Sequence, residues 1–168
     1  MTPYPYGDAS KENPSILVSH DGLSWQVPTG LTNPLAKTPS RAGYNSDPDL
    51  SFDAANNRLV LIYREVTAKE NLIRTTTSVD GSHWTGPVLA FRRPNHGMVS
   101  PTVTFGPTAT PTLWYVDAGP KKCAERITHV MTEQGSGAAA LTPASTERGW
   151  TTPRLSLSQP KKNIWHMD

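Results

Sequence analysis

The most regular pattern of apolar positions in the chain is RLVLIYREV, residues 58–66. Apolar side chains occupy both alternating sets of positions until Arg64, so both faces of an extended strand here are apolar. A strand of this kind is typically covered on both sides, as in a sheet packed between two other sheets. The pattern therefore predicts a central β-strand between two neighbouring layers.

Shorter segments of similar character surround this strand, with turn residues between them. They predict a first strand at 49–53, a third at 71–78 and a fourth at 83–92. The same order returns at 100–105, 110–119, 125–132 and 150–158. Before these two units, 13–19 and the stretch from Trp25 predict the third and fourth strands of an earlier unit. The abundance of breakers, 16 proline and 12 glycine residues, also favours short strands over a helical bundle.

One turn sequence occurs twice, as SHDGLSW at 19–25 and SVDGSHW at 78–84. Both copies read Ser-x-Asp-Gly-x-x-Trp, and a proline follows three residues after each tryptophan. A weaker third copy combines TEQG at 132–135 with GWTTP at 149–153. A unit that returns at a nearly fixed spacing, with about the length of a propeller blade, indicates a repeat architecture.

The fold class that follows is all-β: a partial β-propeller of about two complete four-stranded antiparallel blades flanked by two incomplete ones. The predicted divisions are the end of an incomplete blade plus a connecting loop, a complete blade, a complete blade with an insertion near 136–148, and the first strand of a following blade. Their bounds are 1–46, 47–99, 100–162 and 163–168. Since a propeller ring closes with ~4–8 blades, we expect the missing neighbours to be remaining blades of a longer protein or self-associated copies. A small sandwich of two four-stranded sheets is the alternative architecture.

The repeated motif predicts the hydrogen bonds and the backbone conformation of its turn. The aspartate accepts hydrogen bonds from turn amides, the glycine takes a positive φ, and the tryptophan ring packs beneath the turn. The residues assigned to this structural role are Asp21, Gly22, Trp25, Asp80, Gly81 and Trp84. The motif resembles the Asp box, or BNR repeat, of sialidases and other carbohydrate-acting propellers.

Two carboxylates, Asp47 and Asp49, stand at the start of the first strand of a predicted blade. Residues two apart on an extended strand point the same way, and two like charges so placed can raise one pKa, which suits acid–base chemistry. The segments 47–65 and 100–119 resemble the five-bladed glycosidase clan that includes glycoside hydrolase families 43 and 32. That resemblance implies glycosidic bond hydrolysis by paired carboxylates at the channel mouth, with Asp47 as base or nucleophile.

A general acid is not evident from the sequence, and Glu12, Glu65, Glu70 or a missing blade are the alternatives. Asp49 is the second catalytic candidate at the channel. The substrate-binding candidates are Arg64, Glu65, Trp114, His166 and Asp168. Two other hypotheses remain open: a non-catalytic glycan-binding module, and a structural propeller of a phage or cell-surface assembly. Enzymatic activity is therefore uncertain at this point.

Other classes of partner find little support in the composition. The five histidines show no metal-ligand spacing and the single Cys123 offers no zinc cluster, so neither a metal nor another cofactor is expected. A formal net charge of +2 without a basic stripe argues against nucleic acid. No secretory signal and no apolar run of membrane-spanning length is visible, so no membrane partner is expected and the localisation is unknown. An extracellular parent protein is compatible with the sequence, and the expected ligand is a carbohydrate.

Overall fold

The protein is described here by a computed structural model, which covers residues 8, 11–38, 43–94, 97–106, 110–119, 129–135 and 150–151. Eight β-strands are present in these residues. They are β1 (Tyr44–Asp53), β2 (Arg58–Val66), β3 (Glu70–Ser78), β4 (Val88–Pro94), β5 (Gly97–Phe105), β6 (Pro111–Gly119), β7 (His129–Gly135) and β8 (Trp150–Thr151). The prediction of an all-β fold is confirmed.

The strands form two four-stranded antiparallel sheets that follow one another along the chain. Their orders are β1-β2-β3-β4 and β5-β6-β7-β8, so each sheet is an up-and-down arrangement of sequential neighbours. This is the partial propeller-like arrangement that the repeats predicted. Below, the β1–β4 sheet is called the first sheet and the β5–β8 sheet the second sheet.

The strand β2 lies in the middle of the first sheet, paired antiparallel with β1 and β3. Val60, Leu61 and Ile62 are at most 1% exposed, and Tyr63 is also buried. Both faces of the strand are therefore covered, in agreement with the apolar pattern on both sets of alternating positions.

The main apolar core lies between the two sheets. Its members from the first sheet are Val60, Ile62, Ile73, Ala90 and Phe91, and those from the second are Met98, Val103, Leu113 and Tyr115. The ring centroids of Phe91 and Tyr115 lie 5.8 Å apart across this interface. Burial of these side chains holds the sheets together, since each buried aliphatic or aromatic side chain contributes ~1.5–3 kcal/mol.

A β-bulge occurs at the same place in the first strand of each sheet. The pairing of β1 with β2 shifts between Ser46 and Asp49, and that of β5 with β6 shifts between Val99 and Thr102. Asp47 and Ser100 sit within these bulges at φ values of 50° and 49°, and each precedes a proline. The two sheets thus repeat the same backbone irregularity where their first strands begin.

Residues 11–38 differ from the prediction of strands at 13–19 and from Trp25. The described part of this segment contains one isolated antiparallel bridge, between Val18 and Gln26. The side chain of Asn33 bonds both backbone groups of Ile16, at 3.0 Å to its N–H and 2.8 Å to its carbonyl oxygen. A side chain therefore satisfies the backbone here in place of a paired strand.

Two other predicted features shift or cannot be described. The strand predicted at 83–92 begins only at Val88, since the turn around Trp84 is longer than expected. The insertion at 136–148 and the strand at 163–168 lie outside the described residues, and the four domain boundaries stay predictions. No helix in the described ranges combines the length and apolar character needed to cross a membrane.

Candidate functional site

The carboxylate of Asp47 lies in the bulge of β1, close to the second sheet. Its Oδ2 atom is 3.1 Å from Nε of Arg64, and the Asp47 and Arg64 side chains are 21% and 11% exposed. The same oxygen accepts hydrogen bonds at 3.3 Å from Ser46 Oγ and from the backbone N–H of Ser100. Asp47 is thus a charged acceptor held at the junction of the two sheets.

Arg64 is fixed at this junction by contacts on several sides. Its Nε donates to Ser46 Oγ at 3.0 Å, and its Nη1 donates to the backbone carbonyl of Met98 at 3.0 Å. The guanidinium carbon lies 5.6 Å from the centroid of the Tyr44 ring, in a cation–π arrangement. These contacts orient the guanidinium towards the Asp47 carboxylate.

Glu12 belongs to the same cluster although it precedes the first sheet in the chain. Its side chain is buried, and burial raises the pKa of its carboxyl group above the ordinary value of 4.5. The negative charge of Asp47 raises this pKa further, and the positive charge of Arg64 lowers it. The protonated form of Glu12 is thus favoured by burial, whereas the Asp47 carboxylate is paired with Arg64.

The other two glutamates considered as general acids lie in separate ion pairs. Glu65 Oε2 is 2.8 Å from Nε of Arg74, and Glu70 Oε2 is 3.4 Å from Nε of Arg92. Next to Glu65, burial and then the charge of that carboxylate raise the pKa of Tyr63 to about 12. Of the three candidates, Glu12 is the one assigned to the cluster with Asp47, because the charge of Asp47 raises its pKa.

Asp49 reaches the second sheet two residues further along β1. Its Oδ2 accepts hydrogen bonds from Thr102 Oγ1 at 3.0 Å and from the Val103 N–H at 3.3 Å, as well as from Ser51 Oγ at 3.2 Å. Both carboxylates predicted at this strand start therefore bond to β5. These contacts join adjacent sheets, a role that the residue types alone did not indicate.

The remaining substrate-binding candidates lie elsewhere or cannot be described. Trp114 is on β6 in the second sheet, where its Nε1 donates to Thr104 Oγ1 at 3.0 Å. His166 and Asp168 fall outside the described residues. The cluster at the sheet junction thus consists of Glu12, Asp47 and Arg64, with Ser46 and Tyr44 beside them.

The two repeated turns have nearly the same geometry. In the first, Asp21 Oδ1 accepts hydrogen bonds at 2.8 Å from the N–H groups of Leu23 and Ser24. In the second, Asp80 Oδ1 accepts them at 2.8 Å from Ser82 and His83. These backbone bonds lower the pKa of Asp21 to about 2 and also lower that of Asp80, whose other oxygen lies 2.7 Å from Nδ1 of His83.

The glycine, tryptophan and serine of each turn also repeat their contacts. Gly22 and Gly81 adopt φ values of 74° and 76°, and each accepts a bond from the tryptophan ring N–H, at 3.2 Å from Trp25 and 2.9 Å from Trp84. Trp25 is 60% exposed, so solvent reaches much of its ring even though the ring N–H contacts the turn. The serine was missed as a functional part: Ser19 Oγ and Ser78 Oγ each accept the glycine N–H at 2.8 Å. The serine occurs in both copies of the motif, and this recurrence could have indicated its role in the turn.

Two further residues were missed. Ser100 and Thr102 supply hydrogen bonds to the carboxylates of the first sheet, and the matching Asp-Pro and Ser-Pro pairs were the signal that could have aligned them.

Within the part of the chain that the structure covers, no group of three or more His, Cys, Asp or Glu side chains is arranged to hold a metal ion.

No protein-family model matches the chain. An A type blood N-acetyl-α-D-galactosamine deacetylase from Flavonifractor plautii is 34% identical over 82 residues, which are 46% of this chain and 11% of that protein. A crystal structure of an N-acetylgalactosamine deacetylase from F. plautii, in complex with blood group B trisaccharide, superposes with a TM-score of 0.77 at 21% identity. That match covers 98% of this chain and 52% of the other.

A second solved structure, a mutant α-L-arabinofuranosidase from Fusarium graminearum with an iminosugar inhibitor, has a TM-score of 0.55 at 16% identity. It covers 82% of this chain and 40% of the other. The chain thus spans about half or less of the length of the proteins that it resembles. Both structures belong to carbohydrate-active enzymes, and the likeness shows that this chain shares their fold.

Proposed function

We propose that this chain forms part of a carbohydrate-active propeller that hydrolyses glycosidic bonds, with its reactive groups at the junction of the two sheets. The observation that carries the proposal is the cluster of Glu12, Asp47 and Arg64. Glu12 is a buried carboxyl group with a raised pKa, and Asp47 is a carboxylate paired with Arg64 at 3.1 Å. The similarity of the fold to carbohydrate-active enzymes supports the choice of substrate class.

The two carboxyl groups suit the two roles that glycoside hydrolysis requires. A protonated Glu12 donates its proton to the leaving oxygen, while ionised Asp47 acts on the opposite face of the sugar as nucleophile or as base for water. Arg64 pairs with Asp47 and orients its carboxylate. This chemistry uses water and two carboxyl groups and needs no cofactor.

The repeated turns and the relationship of the chain to known glycosidases are also matters of proposal. We propose that the Ser-x-Asp-Gly-x-x-Trp turns are Asp boxes, and that the chain is related to the glycosidase clan of families 43 and 32. The geometry of both turns, with the aspartate bonded to backbone N–H groups and glycine at positive φ, supports the first assignment. Four residues outside the Glu12–Asp47–Arg64 cluster remain proposed sugar contacts: Trp114, Glu65, His166 and Asp168.

Removal of an acetyl group from an N-acetylated sugar is the second candidate function. The observation that favours it is the 34% identity over 82 residues to an N-acetyl-α-D-galactosamine deacetylase. The same pair of carboxyl groups suits this reaction, since amide hydrolysis also needs a base for water and an acid for the leaving amine. The non-catalytic glycan-binding alternative is favoured by the three contacts that occupy Oδ2 of Asp47.

An assay with two substrate panels separates these functions. The protein is tested for release of aryl alcohol from aryl glycosides and for release of acetate from glycans ending in N-acetylgalactosamine. We expect Asp47→Asn and Glu12→Gln to abolish turnover. The matched control is Asp53→Asn, because Asp53 forms a comparable ion pair with Arg58 at 3.0 Å at the other end of β1.

The outcomes differ for each function. Loss of glycoside cleavage in both cluster variants, with activity kept in Asp53→Asn, supports the proposal. Acetate release with the same dependence supports the deacetylase. Sugar binding without turnover in any variant supports the binding module, and turnover that survives Asp47→Asn contradicts the role given to this cluster.

A further inference from the structure

Glu12 reaches the cluster from a part of the chain that precedes the first sheet. Within the described residues, 11–38 contribute one isolated antiparallel bridge, which does not include Glu12, and no strand of either sheet. Hydrogen bonds from asparagine side chains satisfy backbone groups here in place of a strand ladder. The position of Glu12 beside Asp47 therefore depends on side-chain contacts.

Asn13, the residue next to Glu12, joins two other segments through one side-chain oxygen. Its Oδ1 accepts hydrogen bonds from the backbone N–H of Thr38 at 3.0 Å and from Nδ2 of Asn45 at 2.9 Å. Asn45 belongs to β1 and lies two residues before Asp47. The bond between the two asparagines spans 32 residues of sequence. It ties the neighbour of Glu12 to the strand that carries Asp47.

The donors around Asn13 fix which atoms of the two amides face each other. A backbone N–H can only donate, so the atom of Asn13 that faces Thr38 is the oxygen. Asn45 then presents its NH₂ group to that oxygen. Asn45 is 1% exposed, and among the described residues its Oδ1 is buried without a hydrogen-bond partner. Burying an unsatisfied amide oxygen costs free energy, and the bond to Asn13 is a contact that offsets this cost.

The backbone on both sides of the contact is restricted. Pro14 follows Asn13, and a residue before proline is largely confined to extended backbone conformations. The carbonyl of Pro14 accepts the N–H of Leu35 at 2.8 Å, which holds the segment from its other side. Asn45 lies within the regular pairing of β1 with β2. The contact thus joins a stiff segment to a fixed strand, and the carboxyl group next to it has few positions available.

We propose that the hydrogen bond between Asn13 and Asn45 positions Glu12 in the cluster. Glu12 is one residue from this contact, and Asp47 is two residues from it on the other side, so the bond limits the separation of the two carboxyl groups. Neither asparagine touches the substrate in this proposal, and each acts through Glu12. The inference rests on the proposed function where it concerns catalysis, because the position of Glu12 affects turnover only if Glu12 is the acid.

The pKa of Glu12 reports its position without any substrate. Burial is the largest cause that raises this pKa, and the charge of Asp47 is the next. Loss of the contact allows the carboxyl group to move towards solvent and away from Asp47, so both causes weaken. We expect carbon-13 NMR titration to show the pKa of Glu12 falling towards 4.5 in Asn13→Ala and in Asn45→Ala. Because both variants break the same bond, the double variant should lower it no further.

Coupling to Asp47 separates positioning from a general loss of stability. Asp47→Asn is expected to lower the Glu12 pKa in the unaltered background and to have little further effect in Asn45→Ala. The matched control is Asn56→Ala, which removes an asparagine hydrogen bond of 2.8 Å to Asp53 at the opposite end of β1. This control should lower the free energy of unfolding in urea but leave the pKa of Glu12 unchanged.

Three results overturn the proposal. One is an unchanged Glu12 pKa in the folded single variants, and another is an equal change in Asn56→Ala. The third is an additive double variant, which would mean that the two asparagines act separately. Circular dichroism verifies the fold of each variant. Asn13→Ala, at a half-buried position, carries the test if Asn45→Ala unfolds.

Turnover distinguishes failure of this proposal from failure of the proposed function. If Glu12 is the general acid, we expect kcat of Asn45→Ala to fall about tenfold or more, with the high-pH limb of its pH profile moved to lower pH. Absence of turnover in the unaltered protein, with a Glu12 pKa that still falls in Asn45→Ala, contradicts the proposed function and supports the positioning contact. Turnover in the unaltered protein, with no change of the Glu12 pKa in that variant, overturns the positioning contact alone.

Discussion

The backbone N–H of Ser100 donates to the carboxylate of Asp47 at 3.3 Å, although the two residues hold the same position in successive repeats, 53 residues apart. Both sit in a bulge at positive φ and both precede proline. The pattern is repeated two residues later, where Thr102 donates to Asp49 at 3.0 Å. One copy of the repeat thus supplies acceptors at its first strand, and the next copy supplies donors from the matching positions.

The charge of Asp47 is expected to stabilise this junction. Asp47→Asn removes the negative charge opposite Arg64 and leaves that guanidinium, which is 11% exposed, without its counter-ion. We expect the free energy of unfolding in urea at pH 7 to fall by about 1–3 kcal/mol. Asp49→Asn keeps an oxygen for Thr102 and Val103 and is the control, with an expected loss below about 1 kcal/mol. Equal losses in the two variants would contradict an electrostatic role for Asp47.

The pKa of Glu12 is expected to follow the two charges beside it. Asp47→Asn removes a charge that raises this pKa and therefore lowers it, whereas Arg64→Gln removes a charge that lowers it and therefore raises it. Carbon-13 NMR titration of the Glu12 carboxyl group measures both shifts. Arg74→Gln, which disrupts the ion pair of Glu65, is the control and leaves Glu12 unchanged. Shifts in the same direction for the first two variants would refute the cluster.

The same pKa has a consequence for stability. Because the folded-state pKa of Glu12 lies above its ordinary value of 4.5, the carboxyl group favours the folded state below that value. The advantage is lost as the pH rises through the folded-state pKa. Glu12→Gln stays uncharged and should therefore unfold less readily than the unaltered protein at neutral pH, but not at pH 4.

Local repeats made much of the fold predictable. The Ser-x-Asp-Gly-x-x-Trp motif specified its turn because every contact within it, from the Ser78 hydroxyl to the Trp84 ring, is made by residues at most three positions apart. The burial of both faces of β2 followed from its apolar pattern. Such features depend on residues that are close together in the sequence, so they can be recognised in a single sequence.

The site was less predictable because its contacts join distant parts of the chain. Asp49 and Thr102 come into contact only when the two sheets pack together. The residue types of either segment do not indicate that the other segment will lie beside it. Glu12 was one of several candidate acids, and its relation to Asp47 and Arg64 depends on how residues 11–38 lie against the first sheet. The strands expected at 13–19 and from Trp25 are reduced to one antiparallel bridge between Val18 and Gln26, since an apolar pattern does not say how far two segments pair.

The core between the sheets is expected to tolerate little loss of volume. Leu113→Ala removes a side chain that is 2% exposed and leaves a cavity beside Val103 and Tyr115. We expect the free energy of unfolding to fall by about 2–5 kcal/mol. Leu23→Ala, at a position that is 86% exposed, is the matched control and should change it by less than about 0.5 kcal/mol. Similar effects at both positions would mean that the sheets do not pack as described.

The first turn is expected to give a distinct pH dependence of stability. Hydrogen bonds from Ser24, Leu23 and Ser19 lower the pKa of Asp21 from 3.8 to about 2. Since the folded-state pKa is the lower one, the stabilisation by Asp21 is complete above the ordinary value and is lost as the pH falls through about 2.

Urea unfolding between pH 5 and about 2 measures this loss. Asp21→Asn carries no ionisable group, so its stability should fall less steeply across that range. Ser19→Ala removes one donor at 3.0 Å and should give an intermediate slope, because the folded-state pKa then lies closer to the ordinary value. Profiles that coincide for Asp21→Asn and the unaltered protein would show that the turn does not bind the ionised carboxylate more strongly than the neutral side chain.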